Sequence, residues 1–105
     1  MSEPRWYLIA YDIRSPRRLR KVQHHLRACG YPLQESVFAW HGNRRELVKL
    51  QQALKALINE SEDDIRGYPI LEETGILWWG CLPWPQGVHI EDAPPLHVQA
   101  MADKP

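Results

Sequence analysis

Residues 6–11, "WYLIAY", are apolar at every position, and the run stops at Asp12. A half-exposed strand would alternate apolar and polar side chains. A short continuous run reads instead as a strand covered on both faces, hence central in its sheet. This feature constrains the rest of the chain, which has to cover two sheet faces. With 105 residues, 44% of them hydrophobic, there is enough chain for one domain with one modest core. A domain this small buries a limited share of its surface, so association with a second copy would help it.

The next stretch, "SPRRLRKVQHHLRACG", predicts a helix. Ser15 is placed to cap it and Pro16 suits the first helical position. Leu19, Val22, Leu26 and Cys29 form one apolar face, and Gly30 is a natural stop. Most of Arg17, Arg18, Arg20, Lys21, His24 and Arg27 fall off that face. "YPLQESVFAWHG" has extended character but is short for a clean hairpin. It predicts a bent strand, or two short strands with a kink near Glu35–Ser36. Asn43 and Glu46 make a capping-box pattern, followed by a stripe of Leu47, Leu50, Leu54, Leu57 and Ile58. "NESEDD" reads as a polar turn. "DIRGYPIL" reads as a strand that Gly67 and Pro69 favour at an edge or bulge, and "GILWWG" as a further short strand.

This order predicts an α+β domain over residues 1–80 of ferredoxin-like plan, an antiparallel sheet with two helices on one face. Residues 81–105 read as a proline-rich acidic tail without a core of its own. The plan hosts many functions and settles none.

Charge is unevenly divided. Residues 1–60 hold 11 Lys and Arg against 5 Asp and Glu; residues 61–105 hold 2 against 8. A basic front half can hold an acidic polymer, or pair with the acidic half of its own chain. No stretch approaches the roughly 18 apolar residues of a membrane span, and the N-terminus lacks the basic flank and cleavage site of a signal peptide. Cys29 and Cys81 have no metal-ligand spacing. They read as free thiols in a reducing compartment, which implies a cytoplasmic protein.

Asp12 is the leading candidate for chemistry, because a buried strand ending in a carboxylate presents it at the sheet rim. The alternative is that it caps a turn or pairs with Arg14 or Arg17. Mg²⁺ is commonly held by one or two carboxylates, with water and substrate phosphate completing the shell. One chain supplies one such acid by this reading, and two copies would supply two. Arg14, Arg17, Arg18, Arg20 and Lys21 crowd a helix N-terminus, where cations oppose the macrodipole. Helix stability does not explain them, whereas a phosphate ligand would; the alternative is a solvated basic face. Arg44 and Arg45 repeat the theme at the second helix. His24, His25, His41, His89 and His97 show no metal-binding spacing, and His41 is the one placed for proton transfer. Trp78, Trp79 and Trp84 read as packing residues rather than base-stacking platforms.

Taken together, "YDI" at Tyr11–Ile13, "RR" at Arg17–Arg18, "QESVF" at Gln34–Phe38 and "DIRGYPI" at Asp64–Ile70 resemble the small CRISPR-associated protein of spacer acquisition, the "Cas-two" family, over about residues 5–80. The resemblance implies a ferredoxin-like homodimer with Asp12 near the two-fold axis, holding Mg²⁺ or Mn²⁺. It implies a metal-dependent endonuclease on single-stranded RNA or double-stranded DNA, with Asp12 catalytic. It equally implies a non-catalytic adaptor that bridges dimers of the CRISPR integrase and grips DNA phosphates through Arg14, Arg17, Arg18, Arg44 and Arg45. Family members often carry further acids shortly after the "YDI" acid; here those positions are Arg14, Ser15 and Pro16. That departure weighs against the nuclease and leaves phosphate binding untouched. Other readings are a toxin-like RNase of the VapD group and a small-molecule regulatory domain, the latter opposed by the arginine density.

Overall fold

The apolar run is the centre of the sheet. In the computed structural model, which describes residues 3–81 and 96–101, β1 (Arg5–Asp12) lies between β3 (Val37–Gly42) and β4 (Asp64–Pro69), antiparallel to both. β2 (Tyr31–Gln34) flanks β3, giving the order β2-β3-β1-β4. Helices α1 (Pro16–Cys29) and α2 (Arg44–Lys55) connect these strands. The architecture is α+β and ferredoxin-like, as the order of elements predicts.

Alternation along β1 sends Ile9 and Tyr11 to the helix side, where they pack with Val22 and Leu26 of α1, Phe38 and Trp40 of β3, and Leu50 and Leu54 of α2. Val22 and Leu26 are fully buried. Both helices start as their sequences require. The Ser15 side chain accepts from the Arg18 amide, with Pro16 opening the helix. Asn43 and Glu46 close a reciprocal capping box. The helix α2 ends at Lys55, so Leu57 and Ile58 reach the core from the turn beyond it.

The "YPLQESVFAWHG" segment is two short strands turning at Glu35–Ser36, with a register shift between Pro32 and Gln34. The Tyr11 hydroxyl donates to the Glu35 carbonyl at 2.8 Å and holds that turn. β4 is the edge strand that Gly67 and Pro69 suggest, and only Ile65 in it is even half-buried.

The other sheet face carries Trp6 and Leu8 of β1, Leu33 of β2 and Ala39 of β3, and its cover comes from far along the chain. β5 (Ile76–Trp78) does not join the main sheet. It pairs in parallel with β6 (Val98–Ala100). Leu96 is buried against Trp6, with Ile76, Trp78 and Val98 packed around it. The boundary expected at residue 80 therefore cuts through a paired unit: residues 96–101 rest on the domain because Leu96 and Val98 find an apolar sheet face there. Gly75 permits the junction. Its φ is +66°, and a Cβ there would run into the His97 carbonyl oxygen. Trp79 stays exposed, while Trp84, His89 and the "PWPQG" and "DAPP" stretches lie outside the described residues. Among the described residues no helix is long and apolar enough to cross a membrane.

Candidate metal and nucleic-acid site

Asp12 ends β1 on the face opposite the helices, and it is exposed. Among the described residues its carboxylate has no hydrogen bond and no ion pair, so it neither caps the following turn nor pairs with Arg14 or Arg17. Its cross-strand neighbour is a second acid. The register sets Asp12 directly opposite Asp64 of β4, and residues directly opposite in an antiparallel pair share a face with Cβ atoms about 5 Å apart. Like charges in that relation are destabilising. Arg66 offsets part of the repulsion from beside Asp64, its Nε 3.4 Å from the Asp64 carboxylate. Arg66 in turn reaches the Tyr68 hydroxyl at 3.5 Å. One chain thus brings two carboxylates to one rung, where the sequence alone suggests one.

The rung is held from behind by a third acid. The side chain of Asp63 is fully buried and takes four N–H donors. The Arg14 amide donates at 2.9 Å, the Asn59 amide at 2.9 Å, and the Arg18 guanidinium through Nε at 2.7 Å and Nη2 at 3.1 Å. Arg18 also donates to Glu62 at 2.9 Å. The Arg18 guanidinium, with the Arg14 and Asn59 amides, holds the Asp63 carboxyl well below the usual carboxylate range. This clasp ties the loop after β1 to the start of β4, and so fixes both ends of the Asp12–Asp64 rung. It is also where the basic and acidic halves of the chain meet.

The expected phosphate-binding residues divide into three groups. Arg14 and Arg17 are exposed and close to Asp12 in the chain, with side chains free of ion pairs among the described residues. Arg18 is three-quarters covered and committed to Asp63 and Glu62, so its first role is in the fold. Arg44 and Arg45 are exposed but follow Gly42, which pairs with Arg5 at the far end of β1. The length of β1 separates that end from Asp12, roughly 24 Å at about 3.4 Å per residue. His41 shares the far end, opposite Trp6. Its Nε2 is buried without a hydrogen-bond partner among the described residues, and burial pushes its imidazole below the ordinary value. It is too distant to move a proton at Asp12 of the same chain. Ser36 is nearer, since its carbonyl accepts from the Tyr11 amide.

Among the described residues no three His, Cys, Asp or Glu side chains gather into a metal cluster. Two adjacent carboxylates still suit Mg²⁺ or Mn²⁺, hard cations that take one or two protein carboxylates and fill the remaining positions with water and substrate phosphate.

Residues 5–74 match the family described as CRISPR associated protein Cas2. The CRISPR-associated endoribonuclease Cas2 1 of Nitrosomonas europaea is 42% identical over 64 residues, 61% of each chain. The CRISPR-associated endonuclease Cas2 2 of Thermus thermophilus is 33% identical over 79 residues, 75% of this chain and 88% of the relative. The match thus spans a little over three-fifths of the Nitrosomonas relative's length. Among solved structures, a hypothetical protein from Thermus thermophilus superposes with a TM-score of 0.73 at 30% identity, covering 80% of this chain and all of the other. Streptococcus pyogenes Cas2 crystallised at pH 6.5 gives 0.56 at 32% identity, covering 60% and 82%. The matched residues 5–74 span β1 to β4 with both helices and include Asp12 and Asp64, and the chain belongs to the Cas2 family of CRISPR-associated proteins.

Proposed function

We propose that the protein is a divalent-metal-dependent endonuclease that acts as a homodimer in CRISPR spacer acquisition, in the cytoplasm and in partnership with the CRISPR integrase. The observation that carries the nuclease reading is the exposed Asp12–Asp64 rung, unbridged at Asp12 among the described residues and stiffened from behind by Asp63. Both relatives named above carry nuclease names.

Asp12 and Asp64 would hold Mg²⁺ or Mn²⁺, which when bound polarises a phosphate oxygen and lowers the pKa of water. The chain's own residues do the rest. Arg14 and Arg17 neutralise non-bridging phosphate oxygens, and the N-terminus of α1 adds its partial positive charge. Asp63 holds the Arg14 amide, so the loop that follows Asp12 does not drift as charge moves near it. A second copy would meet the first over the uncovered end of this face, around Ala10, Asp12, Arg66 and Tyr68, and would bring a second pair of acids to the two-fold axis.

The adaptor reading keeps its own support in the number of exposed cations compared with two carboxylates. Cleavage of duplex DNA and of single-stranded RNA with Mg²⁺ or Mn²⁺ separates the readings. Asp12→Ala should lose cleavage by about 10³-fold or more while binding persists. Equal residual cleavage by wild type and variant, with binding intact, would leave a nucleic-acid adaptor without nuclease chemistry.

A further inference from the structure

The end of β1 far from Asp12 holds a buried titratable group that the rung does not use. His41 of β3 lies opposite Trp6, with ring centroids 5.0 Å apart and the ring planes at 60°. Trp6 in turn packs with Leu96, the buried anchor of the β5–β6 cover. A cavity of about 250 Å³ separates sheet and cover at this end. Arg5, Trp6 and His41 line it from the sheet, and Gly75, Leu96 and His97 from the cover. The Nε2 atom of His41 is buried without a hydrogen-bond partner among the described residues. A neutral imidazole tolerates this, because Nε2 can remain a bare lone pair. An imidazolium does not, because both nitrogens then carry N–H and the ring carries a charge.

The cover has little to hold it besides this contact. Its strands are three residues each, and a two-stranded pair is marginal in water without a packed face. At its ends the Ile76 amide donates to the His97 carbonyl at 2.9 Å, and the Met101 amide to the Trp78 carbonyl at 2.6 Å. Four charged or titratable groups stand near His41. Arg5 of β1 opposes a second cation there, and so would His97 when protonated. Glu46 of α2 and Glu72, in the turn after β4, favour the imidazolium, but burial outweighs them and keeps His41 below the ordinary histidine value. Glu46 is already engaged with the Asn43 amide. Glu72 is exposed, and neither acid reaches Nε2.

We propose that His41 is a proton-operated latch on the β5–β6 cover. Neutral, it lets the cover close on the Trp6 face. Protonated, it releases the cover and opens Trp6, Leu33 and Ala39 to solvent or to a partner. The closed form takes up the His41 proton less readily than the open form. Closure is therefore complete above about pH 6.5, the range of an unfolded histidine, and weakens as pH falls toward the closed-form value. One proton changes the opening equilibrium by at most about tenfold per pH unit. The window lies above that of Asp63, and the latch sits at the opposite end of β1 from the rung.

The test is amide hydrogen exchange of the full chain between pH 7.5 and pH 5.5, read as protection factors so that the intrinsic pH dependence of exchange is removed. The proteins are wild type, His41→Phe, His41→Gln and His97→Gln. In wild type, protection at residues 76–78 and 98–101 should fall several-fold across this range, by no more than about tenfold. Protection in β1 and β3 should hold. Both His41 variants should keep the cover's protection flat with pH, Phe by filling the site and Gln by offering a group that does not titrate. His97→Gln should respond as wild type does. Flat protection in wild type overturns the latch. So does a response that persists in both His41 variants, or one that disappears only in His97→Gln.

Discussion

The two faces of one sheet are closed in different ways. The helix face is covered by α1 and α2, each adjacent in sequence to the strands it packs on, with buried residues at helical spacing. The other face is covered over part of its length by a segment far from β1 in sequence, through Leu96 and the β5–β6 pair, and among the described residues nothing covers it where the exposed Asp12, Asp64, Arg66 and Tyr68 stand. The closed face supports the fold. The half-open face leaves its charged end accessible, and nearby backbone groups stiffen it through Asp63. A small domain can thus keep a rigid site on a face it has not finished covering.

The first way to break this contrast is to weaken each cover separately. Leu26→Ala removes a fully buried side chain from between α1 and the sheet and should cost about 3–4 kcal/mol. Leu96→Ala, on the inner side of the distant segment, should cost about 1–2 kcal/mol, because the site can collapse or open to water. Chemical denaturation of both variants checks the difference. Equal costs would mean that the two faces are equally integral to folding.

The clasp behind the open end gives the next largest effect. Arg18→Ala leaves the Asp63 carboxylate buried without its main partner, and the melting temperature should fall by about 10 °C or more. Arg17→Ala, at an exposed side chain with no ion pair among the described residues, should leave it within about 2 °C. Acid titration sharpens the same point. Asp63 is depressed in the folded state. Its contribution is therefore complete above about pH 4, the range of an unfolded carboxylate, and fades as pH falls further toward the folded value. The wild-type melting temperature should drop through that window. The Asp63→Asn variant should start lower and lose less there.

The same contrast marks what can be read from residues alone. The central strand, the Ser15–Pro16 start of α1, the Asn43–Glu46 box and the edge position of β4 are all local signals: periodicity, caps and breakers. The cover supplied by Leu96 is not local. "PLHVQA" offers no period long enough to mark a strand, and its partner β5 is three residues long. Asp12 is visible as a strand-ending acid in a basic setting. Asp63 and Asp64 are hidden in "NESEDD", which looks like a solvated turn. Nothing in that stretch tells which acid is buried under Arg18 and which faces Asp12, because register is a property of the pair and not of either strand. Arg18 looks interchangeable with Arg17 for the same reason. Adjacent positions on a helix point about 100° apart, and only the packed structure shows which one meets an acid.

The smallest effect is also the most specific to the open end. Asp64→Asn relieves the like-charge pair with Asp12 at the cost of an exposed contact to Arg66. Without divalent metal the melting temperature should rise by about 1–2 °C, the sign expected when facing like charges are removed. With Mn²⁺ the order should reverse. A cation held between the two acids stabilises the folded wild type by RT ln(1 + [L]/Kd), while the carboxamide of the Asp64→Asn variant offers a neutral oxygen and a weaker site. The readout is the difference in melting temperature with and without Mn²⁺, in wild type, Asp64→Asn and Asp12→Asn. A shift that disappears in both variants assigns the metal to the rung within one chain. A shift lost only in Asp12→Asn moves the ligands to the two-fold axis, with Asp12 of each subunit sharing the ion and Asp64 reduced to a neighbour that tunes its charge.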